Sequence, residues 1–309
     1  MFSFLAAFCV WFLFVALVES WSRTSCGPTD QITQWGSQVT PNNTLPEYPR
    51  PQMVRKNNWL NMNGLWQLID VYFVETTKTK NKKEEYETGS KVIQSWKKAK
   101  HNGYRIDSKT RYQRQYYNLH YRTTFTDFAD RNKSDTRLLL NFGAVDWDTT
   151  VYVNNEIVGT HIGGYDSFVV DITKYVNESG NTLDVMVFDP TEYGQQPNGR
   201  QSISAMTEPG GSVFTPTSGI WQTVWLEFIP MNYIEGFQVI TSPDLQTVSI
   251  TVTVNGDPSS EQFTVKVYDS SSNKLIITAT ADCNEVLLLQ IQNATLWSPD
   301  FPFLYDMTV

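Results

Sequence analysis

At 309 residues the chain is long enough for two domains with cores of their own. Its 40% apolar and 14% aromatic content belongs to a folded protein, not a disordered one. A formal charge of −8 argues against nucleic acid as the main partner, because phosphate binding needs a cationic face.

The chain opens on an apolar run. Phe2 to Val18 is apolar apart from Ser3, and Val18-Glu19-Ser20 offers small or permitted residues before Trp21, which reads as a secretory signal peptide cut near Ser20. Its 17 residues, if helical, reach about 25 Å, short of the roughly 30 Å hydrocarbon core, so no membrane span is expected after cleavage. The leader lacks the usual Lys or Arg, and an uncleaved anchor is the competing reading. Residues 21–47 form a lead-in. A secreted or lysosome-like address agrees with four N-x-S/T acceptors, at Asn42, Asn132, Asn177 and Asn293. Cys26 and Cys283 remain in the mature chain. Far apart in sequence, they leave a disulfide open and exclude a disulfide-framed scaffold.

Strand-like runs then recur between Gly, Pro, Asn and Asp, with no sustained helical period. They are Gly64 to Phe73, Tyr116 to Phe125, Arg137 to Phe142, Thr149 to Gly159, Phe168 to Ile172, Thr182 to Phe188 and Ile220 to Phe228. The fourth reads as a hairpin, because Asn154-Asn155 tolerates the positive φ of a two-residue turn. Many short strands imply a sandwich or barrel over 48–230. After Pro230 the runs Ile234 to Ile240, Thr247 to Val254, Gln262 to Tyr268, Leu275 to Ala279 and Val286 to Ile291 alternate cleanly, and a terminal run begins at Leu304. Six strands over 231–309 are one short of the seven usual in an immunoglobulin-like sandwich, so this second domain is expected to be incomplete.

Two segments break the pattern. Lys78 to Arg114 holds 12 of the 24 Lys and Arg residues against four acids, and reads as a solvated basic insertion, with a polyanion- or partner-binding loop as the alternative. Asp189 to Ser218 is a long loop anchored by strands at both ends, a form that is usually functional or disordered.

Several stretches carry a family resemblance, in order along the chain. "YPRPQMVRKNNWLNMNGLWQ" (Tyr48 to Gln67), "LNFGAVDWDTTVYVNNEIVGTHIGGYDSFVVDIT" (Leu140 to Thr173), "NTLDVMVFDPTEYGQQPNGRQ" (Asn181 to Gln201), "SGIWQTVWLE" (Ser218 to Glu227) and the closing "LWSPDFPFLYDMTV" resemble the N-terminal part of glycoside hydrolase family 2. That family holds β-galactosidases, β-mannosidases and β-glucuronidases. The resemblance implies an all-β chain, a galactose-binding-like jelly roll followed by an immunoglobulin-like sandwich. It also implies that the chemistry, one carboxyl as general acid/base and one as nucleophile roughly 5–5.5 Å apart, belongs to a barrel that this chain does not reach.

No substitute pair is evident. Asp146 and Asp148 would share one face of a strand and read as structural. Glu84, Glu85 and Glu87 lie in the polar insertion, and His101, His120 and His161 show no metal-like spacing. Neither a metal nor a cofactor is expected. In the long loop, Asp189 ends a strand before Pro190, where the resemblance implies an acid that helps hold the sugar or a nearby cation; a turn-capping Asp is the structural alternative. Asn198 and Arg200 are candidates for hydrogen bonds to sugar hydroxyls, and Trp221 reads as packing.

These features favour the non-catalytic N-terminal part of a secreted β-glycosidase, with a glycan or β-glycoside as partner and a homo-oligomer left open by the resemblance. The alternatives are a stand-alone carbohydrate-binding accessory protein and a purely structural pair of sandwiches.

Overall fold

The computed structural model describes residues 38, 40, 42–50, 53–55, 58–70, 97–100, 118–128, 131, 134–206, 210–214, 216–257, 259, 261–283 and 285–309. Every element named below lies within Pro41–Val309, one compact unit. The leader, Asn132, Cys26 and most of the basic insertion fall outside the described residues.

The first sandwich faces one sheet onto another. Strands β1 (Trp59–Asn61), β5 (Thr136–Phe142), β9 (Phe168–Asp171) and β12 (Val224–Pro230) form a four-stranded sheet in the order β1-β12-β5-β9. Strands β2 (Leu65–Asp70), β3 (Lys97–Lys100), β4 (Asn118–Phe125), β7 (Asp148–Val153), β8 (Glu156–Ile162) and β10 (Asn181–Phe188) form a six-stranded sheet in the order β3-β2-β4-β10-β7-β8. All the pairings are antiparallel. Alternate residues turn inward, so Leu138, Leu140 and Phe142 of β5 meet Val151 and Val153 of β7 and Leu183 and Val185 of β10, all essentially inaccessible. Between the sheets Phe142, Phe168 and His161 stack in sequence, with ring centroids 4.6 and 4.2 Å apart.

The expected hairpin forms between β7 and β8. Asn154 and Asn155 take φ of 52° and 70°, the left-handed region that a two-residue turn requires. Tertiary bonds lock it: the Asn154 side chain donates to the Tyr175 carbonyl (2.7 Å) and accepts from the Thr182 amide (2.9 Å). Of the basic insertion, Lys97–Lys100 pairs with β2 and stands at the edge of the described sheet.

β5 is buried on both faces, as its "LLLNF" run suits. The outer face is covered by the lead-in to β1. Glu227, fully buried on β12, accepts hydrogen bonds from Tyr48 Oη (2.5 Å) and Trp225 Nε1 (2.6 Å) and pairs with Arg55. Arg50 reaches the same carboxylate at 3.7 Å, donates to Asn141 Oδ1 (2.7 Å) and lies over the Trp225 ring. Burial first, then the Glu227 hydrogen bond, pushes the Tyr48 hydroxyl well above its ordinary range, so it stays a donor.

The second sandwich has two three-stranded sheets, β13 (Tyr233–Thr241), β14 (Val248–Asn255) and β17 (Val286–Leu289) against β15 (Gln262–Asp269), β16 (Lys274–Asp282) and β18 (Tyr305–Thr308). Ile250, Val252, Phe263, Val265, Val267, Leu287 and Leu289 form its core together with Cys283, which is buried and makes no disulfide among the described residues. Arg55 joins the two sandwiches by donating to the Ile234 carbonyl (2.6 Å) and stacking on Tyr233. Arg137 of β5 adds a bond to Asn255 Oδ1 (3.2 Å).

Candidate functional site

Four segments converge at one end of the first sandwich. The short strands β6 (Val145–Asp146) and β11 (Gly219–Ile220) pair so that Asp146 faces Gly219. The end of β10 brings Phe188 beside Asp148, and the β8–β9 turn at 163–167 closes over Asp146. Gly164 permits that approach, since a Cβ there would lie 2.6 Å from Asp146 Oδ1. The long loop 189–218 completes the end. Two single-turn 3₁₀ segments (Thr191–Tyr193 and Ile203–Met206) and a bridge between Gln201 and Phe214 give its described part an ordered form.

The strand reading put Asp146 and Asp148 on one face, and the structure separates them. Asp146 ends β6 in a two-stranded ladder, Asp148 begins β7 in the six-stranded sheet, and the Asp146–Trp147 peptide between them is cis. Asp146 is buried at 4% exposure, and its Oδ1 has no hydrogen-bond partner. Asp189 is buried at 2%. Its Oδ1 caps the following turn, accepting from the Thr191 amide (2.8 Å) and from Gln196 Nε2 (2.6 Å), while Oδ2 is unpartnered. Asp189 thus makes the turn cap that its position before Pro190 suggested, with its carboxylate directed inward.

Burial, and secondarily the charge of Asp189, pushes the Asp146 carboxyl up to about 7. A folded state that holds a proton more tightly than the unfolded chain loses stability as pH rises. The Asp146 contribution is therefore greatest near pH 4, declines as pH climbs towards 7, and is flat above. The expected result is that wild type minus D146N, followed by urea midpoints from pH 4.5 to 8, falls across this window with a slope no steeper than about 1.4 kcal/mol per pH unit. A pH-independent difference would contradict this environment for Asp146.

Outside this buried floor lies a partly exposed rim. Tyr165, half exposed, meets Trp221 edge-on with centroids 6.0 Å apart, and Trp221 Nε1 donates to the Gly164 carbonyl (2.7 Å). Gly199, at φ 59°, turns the loop back over Tyr165, whose hydroxyl lies 3.9 Å from where a Gly199 Cβ would be. Gln201 Nε2 donates to that hydroxyl (3.4 Å), and Gln201 Oε1 accepts from the Thr217 amide. Asn198 is half-buried and donates to the Gln201 carbonyl (3.4 Å). Arg200 is exposed; its Nε donates to the Ser212 carbonyl (2.5 Å) and its guanidinium lies over Phe214. Aromatic faces beside amide, hydroxyl and guanidinium groups can stack on a sugar ring and bond its hydroxyls.

The structure thus brings Asn198 and Arg200 into one rim and places Asp189 beneath it. Sequence reasoning did not single out Tyr165, Gln196 or Gln201. Tyr165 follows the Gly163-Gly164 pair, and that juxtaposition of an aromatic with a tight turn was the available signal. Gln196 and Gln201 carried none, because their partners lie across the loop. Among the described residues no group of three His, Cys, Asp or Glu side chains is placed to hold a metal ion.

Residues 96–219 match the glycosyl hydrolase 2 galactose-binding domain-like family, and residues 232–309 match glycosyl hydrolases family 2. A β-galactosidase of Thermoanaerobacter pseudethanolicus is 26% identical over 191 residues, 59% of this chain and 24% of the relative. A putative β-glucuronidase of Formosa agariphila is 27% identical over 180 residues, 55% of this chain and 20% of the relative. Among solved structures, a Faecalibacterium prausnitzii β-glucuronidase superposes with a TM-score of 0.61 at 20% identity, over 82% of this chain and 45% of that one. At that identity the likeness is one of fold. The chain spans a fifth to a quarter of the length of these curated relatives and under half of that solved structure.

Proposed function

We propose, from the premise that the chain belongs to glycosyl hydrolase family 2, that it is the non-catalytic, glycan-contacting N-terminal part of a secreted β-glycosidase. Its partner is then a β-glycoside such as a β-galactoside or β-glucuronide. The observation that carries this reading is the partly exposed rim of Tyr165, Trp221 and Arg200 at one end of the first sandwich. The placement of the described acids supports the non-catalytic role. A glycosidase needs two carboxyl groups facing the scissile bond, and the acid pair beneath this rim, Asp146 and Asp189, is buried and turned inward. Export agrees with the acceptors at Asn42, Asn177 and Asn293, all solvent-exposed.

The test uses the full chain on an array of β-linked glycans, alongside chromogenic β-galactosides and β-glucuronides. Retention without hydrolysis is expected, and R200A, altered at an exposed position, should weaken retention several-fold with Tm unchanged. Measurable hydrolysis would overturn the non-catalytic role, and absence of retention on every β-glycoside would overturn the contact with sugar.

A further inference from the structure

Of the five rim side chains, Tyr165, Trp221, Asn198 and Gln201 are neutral, and Arg200 is a permanent cation. Its place among them is fixed by its neighbours in the chain. A Cβ on Gly199 would lie 3.9 Å from Tyr165 Oη, and Gln201 Nε2 donates to the same hydroxyl at 3.4 Å. Arg200 therefore stands between two residues that both reach Tyr165, with its Cα about 3.8 Å from each of theirs.

The guanidinium is held in place. The Phe214 amide donates to the Arg200 carbonyl (2.8 Å) and the Ser202 amide to the Phe214 carbonyl (2.9 Å), so two rungs tie this turn of the loop to Phe214. Across that short ladder the guanidinium carbon lies 5.0 Å from the Phe214 ring centroid, and Nε donates to the Ser212 carbonyl (2.5 Å). One face and one edge are thus occupied. The two terminal nitrogens carry the other donors of the fork, and they make no hydrogen bond or ion pair among the described residues. The exposed acids described in the same two loops, Asp166 and Glu192, form no ion pair with Arg200, and Glu192 accepts instead from the Ile203 amide (3.1 Å).

A planar fork that is already oriented, with its terminal nitrogens open, is suited to an oxyanion, which it takes through charge-assisted hydrogen bonds. Loss of side-chain freedom then adds little to the cost of binding. The amides of Asn198 and Gln201 bond hydroxyls that every sugar carries, and so they discriminate weakly. We infer that Arg200 is the specificity-determining residue of the rim, and that it favours acidic sugars, bearing a carboxylate or a sulfate ester, over neutral ones. The inference rests on the reading of the rim as a sugar contact.

The experiment uses three ligands that differ only at C6: methyl β-D-galactoside, its C6 carboxylate and its 6-sulfate. Each is titrated into the full chain at low salt. At least one anion is expected to bind about tenfold more tightly than the neutral sugar, the scale of a hydrogen bond to a charged group. The two anionic arms tell carboxylate from sulfate. The preference should shrink as salt is raised, because the contact is exposed. R200Q, which keeps a polar side chain without the charge, should bring the three affinities together with Tm unchanged. Equal affinities in wild type, a preference indifferent to salt, or one that survives R200Q would overturn the inference and leave the sugar contact standing. Failure of all three ligands to bind would also overturn it, and the glycan array then decides separately whether the sugar contact itself holds.

Discussion

Replacing Glu227 by alanine is expected to cost about 3–5 kcal/mol, the range for breaking a buried ion pair from one side. The carboxylate is fully buried and serves Tyr48, Trp225, Arg55 and Arg50 at once. Removing it strands a phenol, an indole N–H and two guanidinium groups that are mostly covered. E227Q keeps the shape but turns an amide NH₂ towards donors, so most of the loss should persist. A triple variant that also makes Tyr48 Phe and Arg55 Leu should recover much of it, because an apolar replacement removes the stranded partners. Urea unfolding is the measurement, and a loss below 1 kcal/mol in E227A would mean that water reaches the cluster.

The contrast between Glu227 and the rest of β12 marks how far the sequence was legible. "VWLEFIP" could be read as a strand from its apolar and aromatic run, as could nearly every strand from β4 to β18, and so could the Asn154-Asn155 turn. Such a run marks a strand but does not say what covers it. Glu227 is buried by residues 172 to 179 positions earlier, a separation that no local window reads. The two-residue strands β6 and β11 were illegible for a related reason, since a ladder that short has no period. With them went the position of Asp146, the floor of the candidate site. Lys97–Lys100 forms a strand against expectation, because pairing with β2 supplies backbone bonds whatever the side chains are.

A comparable loss is expected at Gly219, where G219A should destabilise by about 3 kcal/mol. The backbone there has φ 78°, which a side chain resists at about 1 kcal/mol or more. The added Cβ would also fall 2.0 Å from Tyr121 Oη and 2.9 Å from Leu119 Cδ1, inside a filled core, where overpacking adds about 1–3 kcal/mol. Tyr121→Phe removes the nearest atom. In a double-mutant cycle the two substitutions should couple favourably, by about 1 kcal/mol, while the part due to φ remains. Strict additivity would show that the strain is in the backbone alone. Because Gly219 pairs with Asp146, G219A should also displace the floor of the site, and retention on β-glycosides should fall with stability.

The Arg55 guanidinium bonds Glu227 on one side and the Ile234 carbonyl on the other, and between those two partners the chain runs from the first sandwich into the second. One side chain from the segment just before β1 therefore acts as a splint across a joint. The peptide link and the single Arg137–Asn255 bond would leave the second sandwich freer to pivot. With the splint in place, any pivot must first pull a charge out of a buried carboxylate. The angle between the two domains is thus set not only by the Arg137–Asn255 bond between their sheets but also by a residue that belongs to neither sheet.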